Sequence, residues 1–158
     1  MKPKVMVLFT SMLGNTFLMA KGVCRGIEEE GGEAILHTVP ELLHQSIIDS
    51  NERIKKAKEM QKGTLVNKPP GVFCCTGSLH GGQETTLISM MFTLIHHGAI
   101  IVGIPYSVKE AIETKKGGTP YGPTVVVGHL ADQPPTETDL KIAKELGKRV
   151  TGIAQKLK

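Results

Sequence analysis

The run "KVMVLF" (Lys4–Phe9) is apolar at successive positions rather than alternate ones, and it stops on "TSMLGNT" (Thr10–Thr16) just before a helical stripe. A strand of that kind is expected to be buried on both faces, as in a parallel sheet, and parallel strands need a crossover between them. The crossover follows at once. Met19, Ala20, Val23 and Ile27 recur at helical spacing between Asn15 and Glu30, and Gly31-Gly32 ends the pattern. This one strand–turn–helix unit restricts the chain to an alternating α/β architecture.

The alternation continues along the chain. "EAILHTV" (Glu33–Val39) reads as a second strand and "GVFCCT" (Gly71–Thr76) as a third. A helix from about Gln83 to His97 carries Leu87, Met91, Leu94 and Ile95. "GAIIVGIP" (Gly98–Pro105) reads as a fourth strand, and Val125–Val127 is a further short apolar run. The last helix, from about Thr138 to Leu157, shows Ala143, Leu146, Val150, Ile153 and Leu157 three and four apart. Residues 40–71 are too few for a helix, a strand and a second helix, which would take roughly 35–40 residues. Leu43, Ile47, Ile54 and Ala57 there fit one long or broken crossover helix. The expectation is a single domain, residues 1–158, with an open parallel sheet of about four to five strands between two helical layers. The strand order would run second, first, third, then Gly98–Pro105.

Several function classes fall away on composition. The net charge of +4 comes with two Tyr, four Phe and no Trp, and the Lys residues are spread over helix faces, so nucleic acid is not an expected partner. No stretch is long and apolar enough to cross a membrane. The start "MKPKVMVLFTS" is basic then apolar, but it ends in a turn without a small-residue cleavage site and reads as a strand. Cys24, Cys74 and Cys75 are an odd number with an adjacent pair, which is no disulfide framework and points to a reducing cytoplasm. His96 and His97 are neighbours on a helix, about 100° apart, and cannot chelate one ion, so no metal is expected.

Three loops fall at carboxyl ends of strands, where open parallel sheets bind ligands: Ser11–Thr16, Thr76–Gly82 and Tyr106–Ser107. The first meets a helix N-terminus, whose free N–H groups and dipole favour an anion, and Ser11, Asn15 and Thr16 can donate further bonds. "GSLHGGQET" (Gly77–Thr85) has the glycine spacing of a nucleoside-triphosphate loop, but Gln83-Glu84 stand where Lys and Ser/Thr are required. A dinucleotide site is excluded because the first turn lacks G-x-G-x-x-G. What remains is a monophosphate carrying a ring, as FMN does in a flavodoxin-like fold.

The segments "LFTSMLGNTFLMA", "CCTGSLHGGQETTLISM", "HHGAIIVGIPY" and "GGTPYGP…QPPTETDLKIAKELGKRV" resemble the WrbA-type NAD(P)H:quinone oxidoreductases of the flavodoxin-like superfamily. The resemblance covers Lys4 to Pro40 and roughly Lys62 to Leu157. It implies phosphate binding by Ser11, Met12, Leu13, Gly14, Asn15 and Thr16. It further implies ring contacts from Cys75, Thr76, Gly77, Ser78, Leu79, His80 and Gly81, with His96 as the catalytic residue near flavin or substrate. NADH or NADPH would reduce FMN, which would pass two electrons to a quinone, and the chains would associate as dimers or tetramers. Three departures stand out. The family's third strand, ending in a Pro-Thr-Arg-Phe-Gly-like loop, and its Gly-Gly-Leu-Trp segment are absent, and Leu13 replaces an aromatic residue. Two other readings remain beside this one: a flavodoxin-like FMN electron carrier, and a non-catalytic oligomerising module that has lost flavin.

Overall fold

The structure, a computed structural model, describes residues 2–11, 13–38 and 63–157. In chain order these form β1 (Lys4–Phe9), α1 (Asn15–Glu29), β2 (Glu33–Thr38), β3 (Cys74–Thr76), α2 (Gln83–His96), α3 (Lys109–Glu113), β4 (Thr124–Val126) and α4 (Glu137–Lys156). The crossover helix expected through Leu43, Ile47, Ile54 and Ala57 lies outside the described residues, as does Met12.

β1 pairs with β2 in parallel, Lys4 opposite Glu33 and Phe9 opposite Thr38, and β3 pairs with β4 in parallel, Cys74 opposite Thr124. The helices fall where their stripes put them. On α1, Met19, Ala20, Val23 and Ile27 are buried, and on α4, Ile142, Ala143, Leu146 and Val150 join them in one core with Val7, Val102, Ile104, Val125 and Val127. α1 and α4 run side by side in close contact, because each offers glycine where the other's backbone passes. Gly22 faces Ala143, Gly26 faces the Lys144 carbonyl, and Gly147 faces the Val23 carbonyl. α4 is closed at its start by a capping box in which the Thr136 side chain accepts from Asp139 N–H and the Asp139 carboxylate accepts from Thr136 N–H.

β3 has helices on both faces. Cys74 packs with Val72 and Leu87 of α2, while Cys75 packs against the α1–α4 core. β1 differs from its expected burial. Val7 is buried, but Met6 and Leu8 on the opposite side are 55% and 52% exposed among the described residues.

Two further expectations are corrected. Gly98–Pro105 forms no assigned strand, yet Ile100–Ile104 runs extended, with N–H bonds from Ile100 to Lys68 O, Val102 to Pro70 O and Ile104 to Pro120 O. The partner segment contains Pro69 and Pro70, which have no N–H to return, so a regular ladder cannot form there. The neighbour of β3 is therefore β4 rather than Gly98–Pro105.

Candidate functional site

Both α1 and α2 begin on a glycine in the left-handed region, Gly14 (φ 89°) and Gly82 (φ 84°), and neither helix start has a capping side chain. The contrast with the closed start of α4 is informative. Leu18 N–H makes the first intrahelical bond of α1, to Gly14 O, and Thr86 N–H that of α2, to Gly82 O. The amides of Asn15, Thr16 and Phe17, and of Gln83, Glu84 and Thr85, lie ahead of those bonds and point out of the helix ends. Positive φ is open to glycine at little cost, whereas a side chain there would be strained.

Around the start of α1, Ser11 Oγ accepts from Gly14 N–H at 3.0 Å, which curls the loop over the helix end. Asn15 is buried and its side-chain amide donates to Ala131 O at 2.9 Å. A carbon placed at the Cβ position of Gly14 would find no atom within 4 Å, so this cradle is open to a bulky group. Leu13, on its rim, is 70% exposed. Hydroxyl, amide and helix-end donors in an open cradle fit a phosphate ester.

The second loop adjoins the first. Thr16 lies beside Cys75, and Gly77 lies against the backbone of Gly128 and His129. Burial pushes the Cys75 thiol up from its ordinary value, the Thr16 side chain beside it pulls it down, and Asp139 pushes it up again. Cys74, facing the other way, is pushed up to about 12, chiefly by burial. Both are therefore protonated, poorly nucleophilic thiols near neutral pH. Thr76 Oγ donates to Ser78 O at 2.8 Å, and Gly81 N–H donates to the same oxygen, forming a compact turn. Gly77, Ser78, Leu79, His80 and Gly81 are exposed on it. Among the described residues, the amides of Ser78, Leu79 and His80 have no protein acceptor.

The sheet edge thus gathers Ser11, Leu13, Gly14, Asn15 and Thr16 with Cys75 through Gly81. The third loop is Gly128–Ala131, at the end of β4, in place of the expected Tyr106–Ser107, because β4 is the neighbour of β3. His96 is not brought to this edge. It lies in the last turn of α2, whose 14 residues separate it from Gly82 by about 20 Å.

Beside the second loop a cleft of about 470 Å³ opens between Leu79–Thr85 and Thr114–Thr119. Its floor is Gln83, which is 3% exposed and hydrogen-bonded on both sides, to Thr76 and to Thr124. Sequence reasoning missed Gln83 and Thr124 because they lie 41 positions apart and meet only once β3 pairs with β4. It also missed Ala131, which acts through its backbone carbonyl and so leaves no side-chain signal.

No family model matches the chain. Curated relatives do. It is 30% identical over 200 aligned positions to the NAD(P)H dehydrogenase (quinone) of Geotalea daltonii, with 98% of each chain covered. Identity is 32% over the same length and coverage to the protein of that name from Trichlorobacter lovleyi. Among solved structures, a flavodoxin from Streptococcus pneumonia TIGR4 superposes with a TM-score of 0.55 at 12% identity, covering 94% of this chain and 98% of its own. A flavodoxin from the domain Archaea gives 0.56 at 16% identity, covering 98% of each. These two likenesses show the flavodoxin-like fold, an α/β parallel sheet with helices on both sides. With 98% of its length matched by those dehydrogenases at 30% and 32% identity, the chain belongs to the NAD(P)H dehydrogenase (quinone) family.

Proposed function

We propose that this protein is an NAD(P)H:quinone oxidoreductase that works with FMN. The observation that carries the reading is the pairing of an uncapped, glycine-started α1 with the exposed Gly77–Gly81 loop at one sheet edge. The names of its relatives supply the reaction class.

On this reading the amides of Asn15, Thr16 and Phe17, with Ser11 and Thr16, hold the phosphate, whose charge the α1 dipole favours. The amides of Ser78, Leu79 and His80 bond the polar edge of the ring, and Leu79 and Leu13 offer exposed apolar surface beside it. Bound FMN supplies the hydride-accepting and hydride-releasing chemistry. Overall, hydride from NAD(P)H and a proton from solvent convert a quinone to its hydroquinone. The chain's residues bind and orient, and none is required as a nucleophile, which agrees with the raised thiols of Cys74 and Cys75. His96, about 20 Å from its own ring loop, serves a site only as a contribution from a second copy, so this role requires a dimer or tetramer. Three unpaired thiols suit the reducing cytoplasm. Among the described residues no helix is long and apolar enough to cross a membrane.

The test is NADH and NADPH oxidation by purified protein with added FMN, with and without a soluble quinone. Quinone-dependent oxidation that requires FMN supports the reading. FMN binding without quinone-dependent turnover would point to an electron carrier instead. Failure to bind flavin would leave the non-catalytic module.

A further inference from the structure

Five side-chain and backbone groups form one continuous chain of four hydrogen bonds across the cleft. Gly118 N–H donates to Thr124 Oγ (2.8 Å), Thr124 Oγ to Gln83 Oε1 (3.0 Å), Gln83 Nε2 to Thr76 Oγ (2.9 Å), and Thr76 Oγ to Ser78 O (2.8 Å). Its direction is forced at both ends. A backbone N–H can only donate and a backbone carbonyl can only accept, so each hydroxyl between them has one available sense. Reversing the Gln83 amide would take the Thr76 proton away from Ser78. Thr124 and Gln83 are buried, at 1% and 3% exposed, so water cannot replace a missing partner cheaply at the bond between them, while Thr76 is half-buried and its bond to Ser78 is exposed. The far end is equally fixed. Gly118 has φ 77°, and a Cβ at Gly117 would lie 2.9 Å from the Thr124 carbonyl carbon.

We propose that Gln83 and Thr124 are positioning residues for the flavin ring, holding the Thr76–Gly81 loop in its ring-receiving shape through this one-way relay and tying it to the Gly117–Gly118 loop. Neither residue touches the ring. The relay fixes Thr76 and Ser78, and the turn they make presents the amides of Ser78, Leu79 and His80. This rests on the flavin reading above.

Gln83→Glu tests it. At neutral pH a carboxylate can only accept, so Thr76 turns its proton from Ser78 towards the carboxylate and the turn is released. At acid pH the protonated carboxyl again accepts from Thr124 and donates to Thr76, and the relay is restored. The titratable groups around this position are Glu84 and His80 on its own segment, Lys115 across the cleft and Cys74 on β3. Wild type measured over the same pH range accounts for them. FMN and riboflavin Kd are measured for wild type, Q83E, T124V and T124S, with far-UV circular dichroism reporting folding.

The expected result is that Q83E and T124V weaken both flavins equally, by about tenfold, at pH 7.5. T124S, which keeps the hydroxyl, stays near wild type. On acidification Q83E recovers relative to wild type. Equal affinity of folded Q83E and wild type at pH 7.5 would overturn the proposal. So would a loss confined to FMN, or a loss in Q83E that acid does not reverse. If wild type itself binds neither flavin, the flavin reading falls and takes this assignment with it, a failure visible before any substitution.

Discussion

Replacing Gly26 by Ala should destabilise the protein, although Gly→Ala in a helix interior normally gains about 1 kcal/mol from propensity. The reason is the α1–α4 contact. A methyl carbon at Gly26 would sit 2.7 Å from the Lys144 carbonyl carbon, 3.0 Å from its Cα and nearer still to its oxygen. Ordinary contact begins at 3.4 Å, and all three atoms are backbone, so no rotamer change relieves the overlap. The helices would have to part by on the order of 1 Å, loosening the layer of Val23, Ile27, Ala143 and Leu146. Overpacking of this sort costs about 1–3 kcal/mol, and a backbone clash belongs at the upper end. With the propensity gain subtracted, the net loss is about 2 kcal/mol, or about 4–8 °C in Tm for a chain of this size. Gly152, also in α4, is the control, since its added Cβ would meet only the Glu30 carboxylate at 3.3 Å, the end of an exposed side chain. G152A should therefore gain about 0.5–1 kcal/mol. Urea unfolding followed by circular dichroism reads both. A G26A variant as stable as wild type, or two variants shifted in the same direction, would refute the packing argument.

T136A removes one donor to the Asp139 carboxylate, whose other oxygen is buried with no partner among the described residues. It should lower stability by about 1–2 kcal/mol in the same urea assay. The Cys74 thiol rises from 9.0 to about 12 on folding, so above pH 9 the unfolded chain loses a proton that the folded chain keeps. Stability should then fall as pH rises from 9, with the loss complete near 12, and the slope should flatten in C74A when unfolding is followed from pH 8 to 11. S11A removes the acceptor for Gly14 N–H and should weaken FMN by about five- to tenfold while leaving riboflavin affinity unchanged, read by flavin fluorescence titration.

The helices were legible because each carries its own evidence. The stripe Met19, Ala20, Val23, Ile27 is buried as spaced, and Ala143, Leu146 and Val150 likewise, while Leu157 at the end of the last stripe is exposed. Strands three or six residues long are less secure, since pairing rather than local sequence decides them. "GAIIVGIP" is as apolar as a strand can be, yet Pro69 and Pro70 opposite it deny it a ladder. That substitution of β4 beside β3 also exchanged the third loop, Tyr106–Ser107 for Gly128–Ala131. The open, glycine-started end of α1 was readable because glycine at a helix start and small polar residues in the turn act locally. The relay through Gln83 was not, because its meaning lies in Thr124, far along the chain. Gln83 entered the sequence argument only as the residue that excludes a triphosphate loop.

The central claim is that Ser11–Thr16 receives a flavin phosphate, and the direct measurement is titration of the purified protein with FMN and riboflavin side by side. Saturable binding that is at least tenfold tighter for FMN is the predicted result. Equal affinity for the two, or no binding of either, would contradict it.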